Sequence, residues 1–239
     1  MSHPLLRVDA LCSGYGQLPV LDKVSLQIAP GEIVAVVGAN GAGKSTLLLT
    51  IGGHLRAFSG RITFDGQDIT AMPAHQAAPR GLVMVPEGGR LFPFMTVLEN
   101  LQLGAYHRAA RERTAQTLEE VMDAFPILAE RRHQLAGRLS GGERQMCAVA
   151  RAVMSLPKLL MLDEPSLGLA PIMVDKLFDR VAELVKSKGL GVLLVEQNVG
   201  NALRLARRGC IIDHGRLVKE ASADLLLRDE EVQRTYMGL

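Results

Sequence analysis

The chain is 239 residues long, 48% hydrophobic and 22% charged, which supports a sizeable folded core and excludes a disordered chain. Its formal net charge of +2 neither demands nucleic acid nor excludes an anionic ligand. Aromatic residues at 4%, with no tryptophan, leave a base-stacking platform for single strands poorly supplied.

Met1 to Tyr15 has no long apolar run after a basic start, so it does not read as a signal peptide. Leu5–Leu11 and Val24–Ile28 alternate apolar and polar residues, as half-buried strands do. Ile33–Val37 is a continuous apolar run ending in glycine, which suits a strand buried on both faces. Thr46–His54 reads as a helix. A membrane span needs about 20 apolar residues. The uncharged stretch between Lys44 and Arg56 is shorter and contains Gly52, Gly53 and His54, so any membrane association is expected through a partner.

From Leu91 to about Leu156 helical pattern replaces strand pattern. Thr96-x-x-Glu99 and Ser140-x-x-Glu143 are capping boxes, and Glu112–Phe125 is one amphipathic helix candidate. Beyond it, Leu159–Leu162, Gly191–Val195 and Cys210–Ile212 are buried-strand runs, and Pro171–Lys186 and Asn198–Arg207 read as helices. The expected fold is α/β with a mostly parallel core sheet, an N-terminal antiparallel β portion and an inserted helical subdomain. Residues 1–87 and 157–239 form the α/β core of one domain and residues 88–156 the insert. Cys12, Cys147 and Cys210 are widely spaced and odd in number, and are expected as small buried hydrophobes in a reducing compartment. Cys210-x-x-x-His214 is the only near Cys–His pair and lacks zinc-like spacing. Arg131-Arg132-His133 and Arg207-Arg208 read as solvated basic faces.

The segment Gly38-Ala39-Asn40-Gly41-Ala42-Gly43-Lys44-Ser45-Thr46 matches G-x-x-x-x-G-K-S/T between a buried strand and a helix. Gly41 and Gly43 allow backbone N–H groups to turn inward around phosphate oxygens, and the helix start adds its positive end. Lys44 is expected on the β- and γ-phosphates, Ser45 on Mg2+ and Thr46 on the α-phosphate. Leu159-Leu160-Met161-Leu162-Asp163-Glu164 is a buried strand ending in two acids, which is costly unless they meet a cation. Asp163 is the Mg2+ candidate, and Glu164 the candidate base for an attacking water, a role worth about 10²–10⁴ in rate. Leu139-Ser140-Gly141-Gly142-Glu143 heads a helix with Ser140 as N-cap and forms a second anion site. Two chains packed head to tail would use both sites.

Together these three motifs resemble ABC-transporter ATPase domains over essentially the whole chain, a P-loop NTPase of the ABC type. The resemblance implies that Tyr15 stacks on adenine, and that Ser140, Gly141, Gly142 and Glu143 act on ATP held by the other subunit. It places Glu87 at a glutamine position that reaches Mg2+, Ala170 where aspartate is usual, and Gln197 at the switch-histidine position. These departures, with Arg90-Leu91-Phe92-Pro93 and the ending Val232 to Gly238, resemble the LivF-type ATPases of branched-chain amino-acid importers. That branch implies a second, similar ATPase, transmembrane permease subunits and a peripheral place on the cytoplasmic face of the membrane. Urea, amide or aromatic-acid cargo remains open, because the ATPase does not touch cargo. An ATPase acting on DNA or RNA is disfavoured by length and by a single phosphate loop, and a non-hydrolysing ATP-gated module by Glu164. Gln197 donates a hydrogen bond but carries no charge, so weak hydrolysis at this chain's own site is expected. The apolar loop Leu91-Phe92-Pro93-Phe94-Met95 is either buried in the helical insert or part of a groove for a cytoplasmic helix of a membrane subunit.

Overall fold

A computed structural model describes residues 3–237. Met1, Ser2 and Gly238, which entered the reading of the two termini, lie outside the described residues. The chain opens with β1 (Leu6–Tyr15) and β2 (Leu18–Ile28), then β3 (Ile33–Val37), α1 (Lys44–Ile51), β4 (Ala57–Phe64), β5 (Gln67–Asp68) and β6 (Leu82–Val85). A helical stretch follows: α2 (Val97–Gly104), α3 (Arg108–Glu112), α4 (Thr114–Ala124), α5 (Pro126–Glu130) and α6 (Gly141–Val153). The chain returns to alternation with β7 (Leu159–Asp163), α7 (Pro171–Lys188), β8 (Gly191–Glu196), α8 (Val199–Leu205), β9 (Arg208–Asp213) and β10 (Arg216–Ser222), and ends in α9 (Ala223–Arg228) and α10 (Glu230–Val232).

The strands form two sheets. One is antiparallel in the order β2-β1-β4-β5. The other runs β10-β9-β3-β8-β7-β6, parallel from β9 to β6, with β10 antiparallel at the edge. Each central strand is apolar on both faces, and its alternate residues feed two different cores. Ile33, Ala35, Val37, Leu160 and Leu162 pack with the helical stretch, α7 and α8. Val34, Val36, Leu159 and Met161 pack with α1 and the antiparallel sheet. This is why continuous apolar runs, rather than alternating ones, mark these strands.

Several local expectations change. The helix expected over Glu112–Phe125 is α4, and it starts two residues later because Arg113, with ψ 11°, leaves the helical region and separates it from α3. The strand read over Leu5–Leu11 continues to Tyr15 through a bulge where Ala10 takes φ 45°. Cys147 and Cys210 are buried, and burial pushes both thiols up to about 12. Cys12 is not buried: it is half-exposed, and its sulfur accepts the Lys23 amide at 3.3 Å.

Candidate functional site

Four neighbouring parallel strands deliver their carboxyl ends to one place. Val37 pairs with Glu196, Asp163 with Val195, and Val85 with Leu162. The segments that follow are the glycine loop after β3, Glu87 after β6, Glu164 after β7 and Gln197 after β8. In open α/β sheets the crevice outside these strand ends is where ligands bind. Here it is a cavity of about 470 Å3 whose wall includes Tyr15, Asn40, Gly41, Gly43, Lys44, Ser45, Thr46, Glu87, Glu164 and Gln197. Its volume lies in the range of small-molecule sites, about 300–1,000 Å3. Val20 and Leu167, which the sequence did not single out, complete the wall.

The glycine loop owes its shape to two left-handed residues, Gly41 at φ 80° and Gly43 at φ 105°. A Cβ on Gly43 would lie 2.9 Å from Leu21 Cδ2, so the Leu21 side chain would have to shift as well. Gly43 is also the N-cap of α1 and makes no side-chain cap bond, so the first turn of α1 offers its amides outward. Gly38 passes against β9, Ala42 donates to the Ala39 carbonyl at 3.2 Å, and the Ala42 carbonyl accepts the Gly215 amide at 2.9 Å.

Lys44 is 4% exposed. Its Nζ donates to the carbonyls of Gly38 at 2.9 Å and Ala39 at 3.0 Å, and lies 3.1 Å from Glu164 Oε1. Thr46 is buried, and its carbonyl accepts the Thr50 hydroxyl at 2.7 Å. Glu164 holds φ 45°, the left-handed region where a residue with a Cβ is strained by about 1–3 kcal/mol. The Glu164 amide donates to the Val195 carbonyl at 2.9 Å, which pins that conformation.

The donor set suits a hard divalent cation. The Ser45 hydroxyl donates to Asp163 Oδ1 at 3.0 Å. Burial pushes the Asp163 carboxyl up; the Ser45 bond opposes this, the Glu164 and Glu87 charges add to it, and Lys44 again opposes. Crowded oxygen ligands with excess negative charge are what a bound cation relieves. Among the described residues no group of three or more His, Cys, Asp and Glu side chains gathers to cage a metal. Mg2+ is commonly held by one or two carboxylates together with substrate phosphates, and Asp163 beside Ser45 offers such a carboxylate.

The second anion candidate stands apart. The Glu143 amide donates to the Ser140 hydroxyl at 3.4 Å, and the Ser140 amide donates to Glu143 Oε2 at 2.8 Å. Arg131 pairs with Glu143 at 2.7 Å. Burial raises the Glu143 carboxyl, but the Ser140 and Arg131 contacts outweigh it and hold it low. Ser140, Gly141, Gly142 and Glu143 do not line the cavity that holds Lys44.

The apolar loop is exposed rather than buried: Phe92 is 52% and Phe94 91% accessible. Phe92 borders a groove of about 300 Å3 with Arg90, Leu103, Tyr106 and Arg151, and the Arg151 guanidinium sits 5.9 Å from the Phe92 ring centre.

Residues 21–167 match the family described as "ABC transporter". The chain is 43% identical over 234 residues to the high-affinity branched-chain amino acid transport ATP-binding protein BraG of Pseudomonas aeruginosa, covering 98% of this chain and 100% of that one. It is 38% identical to the probable branched-chain amino acid transport ATP-binding protein LivF of Archaeoglobus fulgidus, covering 98% and 99% of the two chains. Among solved structures, the ADP conformation of MJ1267, an ATP-binding cassette of an ABC transporter, superposes over 100% of both chains with a TM-score of 0.85 and 28% identity.

Proposed function

The chain belongs to the ABC transporter family, and from that premise we propose that it is the ATP-hydrolysing subunit that energises a membrane importer of branched-chain or related amino acids. The observation that carries the reading is the convergence of Lys44, Ser45, Asp163 and Glu164 at the ends of adjacent strands, beside a helix N-terminus left open for phosphate. The cargo rests on the names of the two relatives, each matched over nearly its whole length.

Each residue then has a task. The Tyr15 ring receives adenine at the cavity rim. The amides of Gly41, Ala42 and Gly43 and the Lys44 ammonium take the phosphate oxygens, and Thr46 steadies the α-phosphate. Asn40, Gly38 and Ala39 shape the loop. Ser45, Asp163 and Glu87 would hold Mg2+, which when bound neutralises phosphate charge. Glu164 accepts the proton of the attacking water, and nucleotide phosphate replaces it as the partner of Lys44. Gln197 donates a hydrogen bond to the terminal phosphate. Positioning and electrostatics supply most of such catalysis.

Ser140, Gly141, Gly142 and Glu143 serve a second ATPase chain, since their own cavity lies out of reach. In the complex that chain is a similar but distinct ATPase, and two copies of this one can pair in isolation. Residues 1–87 and 157–239 act as the nucleotide core, and residues 88–156 as the helical insert that meets the permease. The exposed Phe92 and Phe94 belong to the permease-facing groove. Among the described residues no helix is long and apolar enough to cross a membrane. The chain works from the cytoplasmic face, held there by its partners.

Mg-ATPase turnover of the purified chain, alone and with its partner subunits, tests the reading. Glu164→Gln is expected to bind ATP, stop turning over and run as a dimer on size exclusion. Turnover of Glu164→Gln at the wild-type rate would falsify the assignment of the base. Gln197→His is expected to raise turnover of the assembled complex, and an unchanged rate removes the weak-site reading.

A further inference from the structure

Glu196 ends β8 and is 2% exposed, although its neighbour Gln197 faces the cavity. A carboxylate at that depth is costly unless its oxygens are satisfied. Glu196 Oε1 accepts the Ser166 amide at 2.9 Å, and the Ser166 hydroxyl and the Gln197 amide also stabilise its charge. Ser166 lies in the turn that follows Glu164, closed by the Leu167 amide donating to the Glu164 carbonyl at 3.2 Å. Glu196 therefore contacts both segments that leave the ends of β7 and β8. Those segments are rooted by the Glu164 amide on the Val195 carbonyl and by buried Pro165 and Val199. On one side they border the nucleotide cavity, and on the other a hollow of about 870 Å3 whose wall includes Glu164, Ser166, Leu167, Glu196 and Gln197. Between those roots the turn at Leu167 and Gly168 is exposed, so hydrogen bonds hold it more than packing does.

We propose that Glu196 is a positioning residue that clamps the turn after Glu164 to the segment carrying Gln197, so that the base and the switch amide keep one separation across the terminal phosphate. This rests on the reading that Glu164 and Gln197 act on that phosphate. Glu196 itself is 2% exposed and does not line the nucleotide cavity. A displacement of about 1 Å in a catalytic group can cost 10²-fold in rate, so the clamp acts on turnover rather than on nucleotide affinity.

The test compares Glu196→Ala, Glu196→Gln and the wild type in the complex with partner subunits, by hydrogen exchange of residues 164–170 and 197–201, MgATP affinity and turnover. Glu196→Ala is expected to lose exchange protection in both segments and to lower kcat about tenfold to 10²-fold, with affinity within about twofold of wild type. Glu196→Gln keeps an oxygen for the Ser166 amide and is expected to restore protection and most of the rate. In a Gln197→Ala background, Glu196→Ala is expected to cost less than it does alone, because part of the clamp acts through Gln197. Unchanged exchange in Glu196→Ala overturns the clamp, whether or not turnover is measurable. So does a full, independent multiplication of the two rate losses. Wild-type turnover in Glu164→Gln sinks the parent reading instead, and leaves the exchange result to decide the clamp.

Discussion

Two helices of this chain begin at glycine-bearing segments suited to anions, and they begin differently. The α1 helix starts after Gly43, whose left-handed backbone supplies no side-chain cap. The α6 helix starts after Ser140, and its capping box closes on itself, with Arg131 fastened to Glu143. The first end leaves its amides to a ligand and faces Lys44. The second satisfies part of its own hydrogen bonding and keeps its shape without help. A cradle that binds must be left incomplete, whereas a surface offered to another chain's ligand must be prebuilt.

The comparison breaks first at Lys44. Lys44→Ala leaves Glu164 without its buried partner and removes the charged donor to phosphate. MgATP affinity of the isolated chain is expected to fall about 10–10²-fold, the worth of one charged hydrogen bond, and turnover to vanish. Calorimetric titration reads the first and phosphate release the second. Paired glycine substitutions sharpen the contrast. Gly43→Ala meets φ 105° and Leu21 at 2.9 Å, so a cost of about 1–2 kcal/mol is expected together with weaker nucleotide binding. Gly141→Ala finds Leu169 at an ordinary 3.5 Å and is expected to fold normally. Denaturant melts of the two variants check this, and equal costs would erase the distinction between the two helix starts.

Ser140→Ala is expected to cost about 1 kcal/mol of stability through its lost cap. It should leave MgATP affinity of the isolated chain unchanged while slowing the assembled complex. A drop in affinity of the isolated chain would place Ser140 in the chain's own site.

The smallest effect concerns pH. Burial raises the Glu196 carboxyl above its usual range. The folded protein therefore binds this proton more readily than the unfolded chain. The associated stability is present below the unfolded value of about 4.3 and is lost as pH rises through the folded value. Glu196→Gln is expected to raise the melting temperature modestly near neutral pH, by about 2–4 °C per kcal/mol. The advantage should shrink as pH falls toward 4. An advantage independent of pH would mean that burial of the charge is not its source.

The sequence spoke most clearly where structure is local. The Gly38–Ser45 pattern, the apolar run before Asp163 and both capping boxes depend on residues a few positions apart. The α/β alternation was legible for the same reason. The β4–β5 and β9–β10 hairpins carry local turn signals, Asp65-Gly66 and His214-Gly215, and β6 is a short apolar run, but only long-range pairing sets β4 beside β1 and β6 beside β7. Glu196 could not be singled out, because its value lies in the pairing of β7 with β8, which brings Ser166 to a residue 30 positions away. The two-residue shift at the start of α4 was hidden because Arg111-Glu112-Arg113-Thr114 is polar throughout and carries no distinct cap signal. Exposure of Phe92 and Phe94 depends on how the helical stretch packs, which composition cannot report.

The uncapped start of α1 has a consequence for the life of the protein in a cell. If the nucleotide caps this helix end as proposed, it becomes part of the fold. ATP at about 100 times its dissociation constant would add about 2.7 kcal/mol to the folded state. Resistance of the chain to proteases is then expected to rise with ATP concentration and to fall as ATP is depleted.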